Sequence, residues 1–358
     1  MLPLDSHEEK PRPAPESAGR DDSAPTPARG GAGRWDWLKR WSGLITGLFV
    51  LLLGGFAVHH IYEEFNFQEV YGYLQGLAMA KVLEALTFTA IGYLFLTLYD
   101  VSALKYLKLK VRYGIVGLAS FAGYAVSNNV GFAVISGGSV RYRVYSAVGL
   151  TAADIAKIVV FSTTTFTLGL IFTGGMGILL GPHPGAELLK VPPWTLQAVG
   201  AVTLAALFGA TVLTAITHKP VKLGPWRFEL PSGGVVLSQI FISSVEIVLS
   251  GAALYVLLPE GHGATFVEFI AIFCAALAIA ITSHVPGGIG VFEAVLILGL
   301  KQEGQVSGVL GALLAFRFIY YVVPLLLAAV MLGVWEIRQQ RGSLARAWRE
   351  TMRILSGR

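Results

Sequence analysis

Apolar stretches near or above the length needed to cross a bilayer recur from residue 43 to residue 335 of this 358-residue chain. A hydrocarbon core takes about 20 apolar residues as helix. Inside it every backbone N–H and C=O must be satisfied by the protein itself. These two constraints predict an all-α polytopic membrane protein of about 8 transmembrane helices, one or two of them re-entrant or broken. The composition agrees: only 14% of residues are charged, against about 25% in soluble domains. The 42 glycines suit close helix contact in lipid. Cys274, the single cysteine, excludes a disulfide within the chain.

The expected spans are Gly43–Val58, Val82–Tyr99, 114–136, 155–180, 195–216, 234–257, 264–283, 287–300 and 308–335. Residues 1–33 are rich in Pro, Ala, Gly and mixed charge, which predicts a disordered cytoplasmic tail. Residues 34–335 form the membrane domain, and residues 336–358 a basic cytoplasmic tail. Basic residues gather at span ends, at Arg34, Lys39 and Arg40, at Lys105 to Arg112, and from Arg338 onward, which places both termini in the cytoplasm. The same placement argues for topology rather than nucleic-acid binding. If 114–136 crossed fully, Arg141, Arg143, Lys219, Lys222 and Arg227 would all face outward. A re-entrant hairpin over 114–136 keeps them inside, and the polar centre Ser127-Asn128-Asn129 with the break at Ser136-Gly137-Gly138 fits such a hairpin. The two Gly-interrupted segments, 114–138 and 284–300, read as possible halves of an inverted architecture.

The residues able to carry chemistry are the charges inside this apolar background. Glu246 stands mid-span, where an ionisable group costs about 2.5–3.5 kcal/mol on insertion scales. Arg317 stands in the last span, ahead of Pro324, and is a natural partner for Glu246 or Glu293. Its guanidinium equally suits a phosphate diester. Arg141 and Arg143 follow a glycine pair and would share one face of an extended segment. Asp100 ends its span and pairs with one of them or marks the interface. Pro286-Gly287-Gly288 ends one helix and opens another, whose first turn carries Glu293 and favours an anion. Thr151 to Asp154 reads as a capping box, and Lys81 with Glu84 as a surface pair. For each buried charge a purely structural ion pair competes with a ligand contact. His284 reads as a hydrogen-bonded spacer. No metal-ligand spacing, Walker A sequence or nucleophile motif is present, so neither a cofactor nor an enzymatic activity is expected.

At Gly131-Phe132, Gly137-Gly138-Ser139-Val140-Arg141-Tyr142-Arg143-Val144-Tyr145-Ser146 and Val285-Pro286-Gly287-Gly288-Ile289-Gly290-Val291-Phe292-Glu293 the chain resembles the lysylphosphatidylglycerol synthase transmembrane-region family. The resemblance covers about residues 43–335. It implies a protein of the bacterial cytoplasmic membrane that moves or handles phospholipid. By motif position it carries over Arg141, Arg143 and Glu293, and less directly Asp100 and Glu246. In two-part members a soluble domain makes aminoacyl lipid. Only 23 residues follow residue 335 here, far below a domain of about 100, so translocation without synthesis is expected.

The leading expectation is therefore phospholipid translocation, with aminoacyl-phosphatidylglycerol or a related lipid as cargo. Head groups would pass along a polar groove lined by Asp100, Arg141, Arg143, Glu246, Glu293 and Arg317. The alternative is a non-transporting membrane partner of a lipid- or glycan-modifying enzyme. An intramembrane enzyme using Glu246 and Glu293 as an acid–base pair ranks third.

Overall fold

A computed structural model describes Gly72 and residues 75–130, 133–217, 221–223, 226–228, 231–261, 263–283, 285–300 and 306–355, all within the compact unit Leu44–Arg358. The N-terminal tail, the first expected span, Gly131-Phe132, Lys219 and His284 lie outside the described residues.

The fold is helical. Its elements are α1 Met79–Tyr106, α2 Tyr113–Val130, α3 Ala133–Ser146, α4 Ala152–Leu180, α5 His183–Leu189 and α6 Pro193–Thr217. A short antiparallel hairpin, β1 Val221–Leu223 with β2 Trp226–Phe228, follows, occupying the expected basic loop. Then come α7 Gly233–Tyr255, α8 Phe266–Thr282, a 3-10 turn at Pro286–Gly288, α9 Val291–Leu300, α10 Val306–Phe316, a π-helical segment Arg317–Val322 and α11 Val323–Leu355. Among the described residues, five helical stretches are long and apolar enough to cross a membrane: Met79–Tyr106, Ala152–Leu180, Pro193–Ile216, Gly233–Tyr255 and Gly308–Gln339.

Local chemistry explains the ends and the break. Thr151 caps α4, accepting the Asp154 N–H while Asp154 accepts in return, and Thr265 and Glu268 form the same capping box on α8. The π segment precedes Pro324. Proline has no N–H to give the carbonyl four residues back, that of Tyr320. The Tyr93 hydroxyl donates to that carbonyl instead, at 3.1 Å, and the Asn129 side chain donates to the Tyr321 carbonyl, also at 3.1 Å.

Helix directions follow from the packed pairs. Thr165 meets Gln239, and Gly169 meets Ser243, so α4 and α7 run parallel. Gly177 meets Ala271 and Gly181 meets Glu268, so α4 and α8 run antiparallel. Helices α2 and α3 form a hairpin whose arms touch through Gly123 and Gly137. A Cβ at Gly137 would lie 2.9 Å from the Gly123 carbonyl oxygen, so these arms need glycine. Helices α8 and α9 form a second hairpin, entering from the opposite end of the bundle, with Gly299 against Ile272 and Gly288 against Ala280. The two tips meet where Gly287 packs on the Asn128 and Asn129 carbonyls. At the second tip Gly287, Gly288 and Gly290 all have positive φ, +60°, +62° and +80°, which explains the glycine spacing of that motif.

The hairpin expected within 114–136 is instead built from two helices, with Tyr113–Val130 continuous and the return over α3, and Ser136-Gly137-Gly138 is helix rather than a break. Glycine here serves close approach. The bundle's two ends differ in charge. One carries Lys105, Lys108, Lys110, Arg112, Arg143, Lys157 and Arg338 with Asp154 and Glu336; the other carries Lys81 and Lys190 with Glu84, Glu187, Glu260 and Glu268. Lys81 pairs with Glu260 at 3.8 Å, not with Glu84.

Candidate functional site: buried charge in the bundle core

The first charged centre is Asp100 with Arg141. Asp100 does not end its helix: α1 continues to Tyr106, and Asp100 is fully buried. The helix runs on through a carboxylate because α3 supplies its counter-charge. Arg141 Nε donates to both Asp100 oxygens, at 2.9 and 3.2 Å, and a terminal guanidinium nitrogen donates at 3.0 Å. The Tyr145 and Ser162 hydroxyls donate to the same carboxylate, at 2.9 and 3.1 Å. Arg141 also lies over the Tyr124 ring, 4.4 Å from its centroid.

Arg143 is not part of this centre. The extended segment expected around it is helix, and two steps along a helix turn a side chain by about 200°. Arg143 instead pairs with Glu336 at 2.6 Å beside Trp335, where a third of its side chain is exposed.

The second charged centre is Glu293 with Arg317. Glu293 takes the Gly290 N–H at 2.8 Å, the first-turn contact that the motif predicts, and is ion-paired with Arg317 Nε. Arg317 also donates to the Gly287 carbonyl at 3.3 Å and faces the Tyr321 ring at 5.3 Å. Of the two partners expected for Arg317, Glu293 is the one it holds.

Glu246 lies between these centres and is only 3% exposed. Its two oxygens accept from the Tyr99 hydroxyl at 3.2 Å and the Tyr320 hydroxyl at 2.8 Å. Among the described residues no Lys, Arg or His forms a salt bridge with it.

Tyrosines join the three. Arg141 rests on Tyr124, Tyr124 packs edge-on against Tyr99 at 5.7 Å, and Tyr99 reaches Glu246. Glu246 meets Tyr320, Tyr320 packs on Tyr321 at 5.6 Å, and Tyr321 faces Arg317. The result is a closed file of alternating charge and phenol, from Asp100 to Glu293. The expected open groove through all six charged residues is not what this conformation holds: five are buried at 0–5% exposure, and Arg143 stands outside. Two surface grooves, one along Val159, Thr163 and Thr167 and one along Phe172, Met176 and Val248, touch none of the six.

Sequence reasoning missed the tyrosines. The signal was there: a phenol buried in an apolar span needs a partner for its O–H. Tyr99 adjoins Asp100, Tyr145 follows Arg141 by one helical turn, and Tyr320 follows Arg317 by nearly one.

No family model matches the chain. Curated relatives do, among them the following three. It is 35% identical over 294 residues to protein slr0712 of Synechocystis sp., covering 82% of this chain and 91% of that one. It is 30% identical over 299 residues to inner membrane protein YbhN of Escherichia coli, covering 83% and 92%. It is 29% identical over 241 residues to phosphatidylglycerol lysyltransferase of Staphylococcus aureus, covering 66% of this chain but 27% of that enzyme. With near-complete overlap onto two free-standing proteins, partial overlap onto the lysyltransferase, and both glycine motifs placed at opposed hairpins, the chain belongs to the lysylphosphatidylglycerol synthase transmembrane-region family.

Proposed function

We propose that this protein moves a phospholipid across the bacterial inner membrane without modifying it. The observation that carries the reading is the pair of buried arginines, Arg141 and Arg317, each held by a carboxylate near a hairpin of opposite entry. A guanidinium binds a phosphate diester with the same fork that it offers a carboxylate. A passing head group can therefore take a carboxylate's place at each arginine in turn, while the acyl tails stay in lipid. The resemblance to part of a phosphatidylglycerol lysyltransferase favours an anionic glycerophospholipid, or its aminoacyl derivative, as cargo. The inner membrane follows the Escherichia coli relative. The basic end of the bundle faces the cytoplasm and the acidic end faces outward, by the positive-inside tendency.

Reconstitution tests this. Proteoliposomes carrying trace fluorescent phosphatidylglycerol or phosphatidylcholine should show faster loss of inner-leaflet signal to an external quencher than empty vesicles, with the anionic lipid ahead. Equal rates with and without protein, for both lipids, would reject the reading.

A further inference from the structure

The three buried acids of the core are held in two different ways. Asp100 and Glu293 are each ion-paired with an arginine. Among the described residues, Glu246 is held by two phenols. An arginine donates and never accepts, so it tolerates only the ionised acid. A phenol both donates and accepts, so Tyr99 and Tyr320 can serve a carboxylate or a carboxylic acid by turning an O–H. Each arginine–acid pair sums to zero charge. Glu246 therefore sets the net charge of the file, and an uncompensated buried carboxylate is costly in lipid.

We infer that Glu246 is a proton-exchange site, and that its proton couples lipid movement to a transmembrane proton gradient. The inference rests on the translocation reading above. Glu246 holds its proton in the closed conformation. When a phosphate displaces a carboxylate at Arg141 or Arg317, the head group brings one negative charge into the core; Glu246 gives its proton to the displaced carboxylate and takes up another from the side the lipid entered, so that one proton accompanies each head group. The proton then leaves toward the other side as the lipid does.

Every element facing Glu246 is consistent with a solitary exchangeable proton. Helix α1 presents Tyr93 and Tyr99, α2 presents Tyr124, α8 presents the Cys274 thiol, and the segment after α10 presents Tyr320 and Tyr321. Tyr124 lies against Arg141 and Tyr321 against Arg317.

The test uses the full chain in proteoliposomes with an imposed gradient of about two pH units. One proton per lipid converts that into a leaflet ratio of up to about a hundredfold. A severalfold departure of the fluorescent-lipid ratio from that in empty vesicles, reversing when the gradient is reversed, is expected. So is a carboxylic-acid C=O band in difference infrared spectra that titrates with pH and is lost in Glu246→Gln. Glu246→Asp should restore both band and gradient response in part. Lipid movement that ignores the pH gradient, or follows a sodium gradient instead, overturns the coupling but leaves translocation standing. No lipid movement under any gradient overturns both. A titrating band that persists in Glu246→Gln overturns the assignment to this residue.

Discussion

Arg141 and Asp100 are 41 residues apart in the chain, yet their side chains form a bidentate pair with no more than 3% exposed on either. That pair ties the first re-entrant hairpin to α1. It also sets two costs against each other: removing one partner leaves a bare buried charge, whereas removing both leaves none.

The first prediction follows directly. Asp100→Asn or Arg141→Gln alone should each destabilise the detergent-solubilised protein by about 3–5 kcal/mol, and the double variant should cost clearly less than the sum. A double-mutant cycle by thermal unfolding measures this. Strict additivity would mean that the pair is not coupled.

Arg143 is the control for the same chemistry at a wet site. Its partner Glu336 is partly exposed, so Arg143→Gln should cost about 1 kcal/mol or less. An effect as large as that of Arg141→Gln would contradict the separation of the two arginines.

The hairpin seam predicts a contrast between neighbouring glycines. Gly137→Ala drives a methyl to 2.9 Å from a backbone oxygen and 3.2 Å from the Arg141 guanidinium, and overpacking of this kind costs about 1–3 kcal/mol. Gly138→Ala meets only Val159 at an ordinary 3.8 Å and gains helix propensity, so it should be neutral or stabilising. Melting temperatures of the two variants decide it.

At the second tip, Gly288→Ala combines positive φ with a clash 2.8 Å from the Ala280 methyl, whereas Gly290→Ala has the strained φ but open space. Gly288→Ala should therefore be the more damaging of the two, with Gly290→Ala near the cost of about 1–3 kcal/mol for a strained backbone residue. The reverse order would show that the tip is packed differently.

Much of this architecture was readable in the residues. Five of the expected spans and the capping box at Thr151 follow from length, polarity and cap chemistry, whereas 264–283 and 287–300 are the short arms of a second hairpin rather than spans. Glu293 at its helix start was readable as well, because a carboxylate one turn in must meet the free N–H groups there. The partners of the buried charges were not. Whether Arg317 meets Glu246 or Glu293 depends on how α7, α9 and the π segment pack, and no local pattern carries that distance. Local periodicity also misled at Arg141 and Arg143: the glycine pair before them reads as a break, but in the folded chain it lets two helices touch. The tyrosine file escaped notice because aromatic residues in an apolar span look like lipid-facing bulk until their hydroxyls are matched to acids.

The most direct test of the central claim compares native protein with the Arg141→Gln, Glu246→Gln double variant in proteoliposomes, following fluorescent phospholipid by dithionite quenching. Native protein should accelerate the loss of inner-leaflet signal, and the variant, once shown to be folded by its melting transition, should lose that acceleration. A folded variant that moves lipid as fast as native protein would contradict a translocation path built on the buried charges.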